Sequence, residues 1–136
     1  MRELTSKIAE MDREHVVLDM EAGVEHLSRG TARNTDVLLV IAEPYYKSLE
    51  TAARVARLGQ ELGIARVYTV TNKVRGADHA SMQQFIRDHS LDMVCEIGHD
   101  EEVAEADRLG IAPIDHDGKG ILVTAIDALA TRLFPA

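Results

Sequence analysis

The sequence predicts an α/β domain of about four parallel strands with helices on both faces of the sheet. Three observations point there. Short β-rich apolar runs alternate with stretches of helical periodicity along the chain. The run Val37-Leu38-Leu39-Val40-Ile41 is continuously apolar, as a strand covered on both faces is expected to be. Polar groups suited to ligands follow the strands at Asp19 to Gly23, Glu43-Pro44, Asn72-Lys73 and Gly98-His99-Asp100. In a parallel sheet all of these fall on the carboxyl edge, where ligands bind.

Taken in order, Leu4, Ile8 and Met11 recur at helical spacing ahead of a strand at Val16–Asp19. The second strand, Val37–Ile41, is closed by Pro44. Lys47 to Leu62 reads as a helix with Leu49, Ala52, Ala53, Ala56 and Leu62 inward. Ser48 suits its start and Gly63 its left-handed stop. Arg66–Thr71, rich in β-branched residues, is the third strand. Asp78 caps a helix whose Met82, Phe85, Ile86 and His89 share a face, and Leu91–Ile97 is the fourth strand. Asp100 caps a short helix that ends near Gly110, with Val103, Ala106 and Leu109 apolar. Ile121, Leu122, Ala125, Ile126, Leu129 and Leu133 mark a long amphipathic C-terminal helix. No repeat or linker divides residues 1–136, which read as a single domain.

Composition narrows the function classes. Hydrophobic residues make up 46% and charged residues 28%, ordinary for a globular domain. Fifteen Lys+Arg against 23 Asp+Glu give a net charge of −8. Nucleic acid and anionic membranes both require a positive footprint, so neither is the expected main partner. The C-terminal helix also lacks the basic face of a membrane anchor. The single cysteine, Cys95, forms no internal disulfide and suits a reducing cytoplasm. No apolar stretch approaches the ~20 residues that span a bilayer, and the N-terminus lacks the order of a secretory signal. The expected location is cytoplasmic.

The segment from Val16 to Thr31 carries most of the chemistry. An apolar strand ends in an acid, Asp19, and Gly23 lies in the turn that follows. A carboxylate at the end of a buried parallel strand can hold a Mg²⁺-bound water beside a phosphate. A glycine lets backbone N–H groups approach that phosphate closely. Taken alone, Asp19 also suits a strand-end acid that caps the next turn, and Asn72-Lys73 an ordinary turn. The Gly-rich loop with its lysine is absent from the sequence. Gly118-Lys119-Gly120 does not replace it, because it lacks the spacer between glycines and the Ser/Thr after the lysine.

Asp-Met-Glu-Ala-Gly followed by Val-Glu-His-Leu-Ser-Arg-Gly-Thr resembles the carbon monoxide dehydrogenase maturation ATPases. These are the CooC-type nickel-insertion proteins of the MinD/ParA/Mrp group of P-loop NTPases. The likeness continues through Asp36–Pro44, Ser48–Thr51, Glu61–Ile64, Thr71–Val74 and Glu105–Gly110. It covers most of this chain but only the C-terminal half of a full family member.

The resemblance implies a partial doubly wound sheet and a set of roles. Asp19 matches the Walker B acid, which reaches Mg²⁺ through water, and Gly23 the switch glycine whose N–H senses the terminal phosphate. Asn72 matches the amide that recognises adenine, and Lys73 supports that loop. Gly98, His99 and Asp100 flank the base, with Gly98 standing where relatives carry proline, which implies a looser pocket wall. ATP and Mg²⁺ are the implied cofactors. Implied partners are a P-loop-bearing N-terminal half or a second copy, and a carbon monoxide dehydrogenase-like client that receives metal.

Two family features are missing. The two lysines of the Walker A loop are absent, and so is the metal-binding Cys-x-Cys pair. The expected function is therefore the C-terminal region of a nickel-insertion-type accessory ATPase, inactive alone. The alternative is a non-catalytic interaction module derived from such an ATPase. His26, His99 and His116 each lie beside an acid without the spacing of a zinc site. Cys95 is expected to be a small buried residue.

Overall fold

The computed structural model describes residues 15–20, 27 and 34–135. Within them, β1 (Val37–Ala42), α1 (Tyr46–Glu61), β2 (Arg66–Val74), α2 (His79–Asp88) and β3 (Met93–Gly98) alternate. They are followed by α3 (Glu101–Leu109), α4 (Pro113–His116) and α5 (Ile121–Leu133). The three strands form one parallel sheet in the order β1-β2-β3.

β2 is central, which explains its sequence. Thr69, Val70 and Thr71 are all at most 1% exposed, because helices cover both faces and neighbours occupy both edges. On one face, Leu49, Ala52 and Ala56 of α1 and Met82 and Ile86 of α2 pack on Val40, Ala42 and Val74. On the other, Leu122, Ala125 and Leu129 of α5 pack on Val70, Val94 and Ile97. Gly59 lets α1 lie close to the sheet: a Cβ there would stand 2.7 Å from Leu38 Cδ2. Gly63 (φ +84°) and Gly110 (φ +68°) take the left-handed conformation that ends α1 and α3.

The predicted strand at Val16–Asp19 is not a strand. Residues 15–20 carry no regular structure, and Val17 is 85% exposed. The count among described residues is therefore three strands rather than about four. The physical reason is pairing: an isolated apolar run gains nothing from extension without a ladder neighbour. Among the described residues, no strand joins Val16–Asp19 or the outer edge of β1. The helical spacing of Leu4, Ile8 and Met11 lies outside the described residues. α4 was not anticipated from the pattern, being a single turn opened by Pro113.

Among the described residues, no helix is long and apolar enough to cross a membrane.

Candidate functional site

The carboxyl ends of β1, β2 and β3 lie side by side. Ala42 pairs with Thr71, Val74 pairs with Gly98, and the His99 N–H donates to Val74 O at 2.9 Å. Glu43, Asn72, Lys73, Gly98, His99 and Asp100 therefore converge on one edge, as the alternating pattern predicts.

Lys73 is the most constrained residue there. It sits near the end of β2 with φ +59°, in the left-handed region that side chains avoid. Its N–H donates to Asn72 Oδ1 at 2.9 Å, and its Nζ donates to Glu43 Oε1 at 2.8 Å. The hydrogen bond and charge of Glu43 hold the Lys73 ammonium above the usual lysine range. With Oδ1 engaged, Asn72 retains its amide N–H groups as donors.

His99 lies within a charged cluster. Its Nε2 is 2.6 Å from an Arg75 guanidinium nitrogen and 2.7 Å from Glu101 Oε1, and Arg75 and Glu101 approach at 3.7 Å. Both oxygens of Asp100 are occupied by backbone donors. Oδ1 accepts from Glu102 N at 3.1 Å, and Oδ2 accepts from Leu122 N at 3.2 Å. One carboxylate thus caps two helices, α3 and α5, and fixes where both begin. Beside it, a Cβ at Gly98 would meet Ile121 Cγ2 of α5 at 3.4 Å.

Asp19 is exposed, and Gly23 lies outside the described residues. The segment before Asp19 starts near the opposite edge of the sheet. The His15 ring lies 4.0 Å from that of Phe134, just beyond α5, whose Arg132 donates to Val94 O in β3. Among the described residues, no hydrogen bond or ion pair joins Asp19 to the strand-end cluster.

His116 pairs with Glu102 at 3.0 Å and Asp117 accepts from Lys119 N at 3.1 Å. Among the described residues, no group of three His, Cys, Asp or Glu side chains is placed to hold a metal ion. Cys95 is half-buried, its Sγ donates to Ala125 O at 3.8 Å, and burial raises its thiol pKa. A polar groove of about 430 Å³ between α1 and the end of α2 is lined by Arg54, Arg57, Gln60 and His89. It does not border the strand ends. Arg54 and Arg57 pair there with Glu50 and Glu61, so the groove adds no free cation to the site.

The role of Glu43 was legible only as its position after an apolar strand, the same signal that singles out Asp19. Ser48, expected to cap α1, instead accepts from Glu43 N at 3.0 Å and fixes the turn out of β1.

No protein-family model matches the chain. An ATP-binding protein of Methanocaldococcus jannaschii is 40% identical over 107 residues, covering 78% of this chain and 41% of that protein. A second from the same organism is 35% identical over 113 residues, covering 82% and 44%. The carbon monoxide dehydrogenase accessory protein CooC of Rhodospirillum rubrum is 34% identical over 117 residues, covering 85% and 43%. Among solved structures, the MinD cell division protein of Aquifex aeolicus matches with TM-score 0.67 and 19% identity, over 82% of this chain and 49% of that one. A ParA family ATPase of Chlorobium tepidum matches with TM-score 0.62 and 20% identity, over 80% and 46%. The chain spans under half the length of these relatives. By sequence and by fold it belongs with the CooC-like, MinD/ParA-type P-loop NTPases.

Proposed function

We propose that this chain is the C-terminal region of a CooC-type accessory ATPase and supplies the nucleotide-facing edge of its sheet. The observation that carries the reading is the convergence of Glu43, the Asn72-Lys73 corner and His99-Asp100 at three adjacent strand ends. Homology to CooC over 85% of the chain supports it.

In this reading Asn72 donates to an acceptor on the base, a role its engaged Oδ1 and remaining N–H groups suit. Lys73 supports that corner, while Gly98, His99 and Asp100 form the wall beside it. Asp19 is an exposed oxygen donor of the kind that suits Mg²⁺, which keeps most of its waters. Mg²⁺, when bound, offsets the negative charge of the phosphates. Gly23 offers its N–H to the terminal phosphate. The nickel-delivery role, a carbon monoxide dehydrogenase-like client, dimerisation and a cytoplasmic location belong to the same proposal.

Phosphoryl transfer depends on positioning and on cationic stabilisation from a lysine-bearing loop that these 136 residues do not contain. The chain alone is therefore expected to show no ATP hydrolysis above background. Co-expression with the N-terminal half of a CooC protein should restore hydrolysis that Asp19→Ala abolishes. A folded complex without Asp19-dependent turnover would refute the reading. So would turnover by the chain alone that disappears in Asp19→Ala.

One observation favours the second reading, a non-catalytic interaction module. The described sheet has packed cores on both faces without the Asp19 segment in its ladder. A folded chain that binds neither Mg·ATP nor a CooC N-terminal half would select it.

A further inference from the structure

We infer that Glu43 is a positioning residue that locks the Asn72-Lys73 corner and so fixes the Asn72 amide at the carboxyl edge. The inference rests on the nucleotide reading above and assigns a role to a residue which that reading leaves without one.

The ladder between β2 and β3 is irregular here. Thr71 pairs with Glu96 and Val74 with Gly98, so three steps along β2 oppose two along β3. This bulge turns Asn72 and Lys73 out of the regular ladder, as bulges beside binding sites do. Within it Lys73 takes φ +59°, a conformation that costs a residue with a Cβ about 1–2 kcal/mol. Contacts must hold it, and two do so. The backbone side is held by Lys73 N donating to Asn72 Oδ1. The side-chain side is held by Lys73 Nζ donating to Glu43 Oε1. Glu43 is itself fixed, because its N–H donates to Ser48 Oγ in the first turn of α1. The relay Ser48–Glu43–Lys73–Asn72 thus runs from a helix start across two strand ends to the amide that faces a ligand.

An ion pair exposed at both ends contributes little to global stability, and here the side chains are 56% and 38% exposed. Loss of Glu43 should therefore leave the thermal midpoint nearly unchanged while freeing the bulge. That combination separates positioning from a structural role.

The test uses the full chain, with amide exchange by NMR, thermal melts and titration of a fluorescent ATP analogue with Mg²⁺. In Glu43→Gln, the Lys73 amide should exchange about twofold to fivefold faster, and probe affinity should fall by a similar factor, the reach of one exposed charge pair. Glu43→Asp should recover part of both. Lys73→Gly adopts a positive φ without strain, so adding Glu43→Gln to it should change neither exchange at residue 73 nor affinity further. Unchanged exchange in Glu43→Gln would overturn the inference, as would an equal further loss in the Lys73→Gly background. If the unmodified chain alone does not bind the probe, the titration is made on its complex with the N-terminal half of a CooC protein; no binding there either sinks the nucleotide reading, and the exchange comparison by itself decides whether Glu43 holds the bulge.

Discussion

Removing the Asp100 carboxylate should loosen two helices at once. Its oxygens accept from Glu102 N at 3.1 Å and from Leu122 N at 3.2 Å, at the second helical positions of α3 and α5. An N-cap side chain is typically worth about 1 kcal/mol, so Asp100→Ala should cost about 2 kcal/mol. Asp100→Asn retains one acceptor oxygen but turns an N–H₂ toward the other helix start, and should cost about half as much. Urea unfolding followed by far-UV circular dichroism reads this directly. With a slope of about 1–3 kcal/mol per molar urea, Asp100→Ala should lower the midpoint by about 1 M. The effect should appear in the absence of any nucleotide. A midpoint within about 0.2 M of the unmodified chain would show that neither helix start depends on Asp100 and would refute the two-cap assignment.

Gly59→Ala improves intrinsic helix propensity in α1 yet should destabilise by about 1 kcal/mol. The new Cβ would stand 2.7 Å from Leu38 Cδ2 and 3.3 Å from the stiff Val67 side chain; equal or higher thermal stability would contradict this packing. Cys95 should react more slowly with iodoacetamide in the native chain than in urea, because burial raises its pKa. The sign for stability follows: below the ordinary thiol value of 9.0 both states hold the proton. Above it the unfolded chain releases the proton first, so stability falls as pH rises, and Cys95→Ala should flatten that alkaline slope in melts run from pH 8 to 10.

The alternation of strands and helices was readable because the parallel sheet demands it. Val37–Ile41 forms β1 as its apolar run predicts, but as an edge strand it is not covered on both faces, and Ile41 is exposed. The α1 stripe Leu49, Ala52 and Ala56 faces the sheet as its spacing predicts. Asp100 and Gly110 carried local capping chemistry that fixes α3 whatever surrounds it. Val16–Asp19 shows the opposite case. Its composition specifies a strand, but a strand exists only through a neighbour, which no property of those four residues encodes. Asn72-Lys73 was recognisable as a site, whereas its left-handed turn was not. That conformation depends on Glu43, thirty residues away in sequence, and on the mismatch with β3. Ser48 and Asp78 do not cap their helices, for a related reason: a short polar side chain at a helix start has several backbone donors within reach, and here Ser48 accepts from Glu43 N and Asp78 from Arg75 N.

The outer edge of β1 has a further consequence for how the chain behaves at high concentration. Val37–Ala42 presents a row of hydrogen-bonding groups that no described strand satisfies, on a segment without proline, lysine or glycine, and Ile41 is 55% exposed beside it. Such an edge invites sheet-to-sheet association. Asp36 stands immediately before the run and Glu43 immediately after it. Two copies meeting antiparallel along β1 would bring carboxylates together at both ends, within an overall charge of −8. The acidity that argues against a nucleic-acid partner would then also act as a guard against fibre growth, one that rising ionic strength weakens.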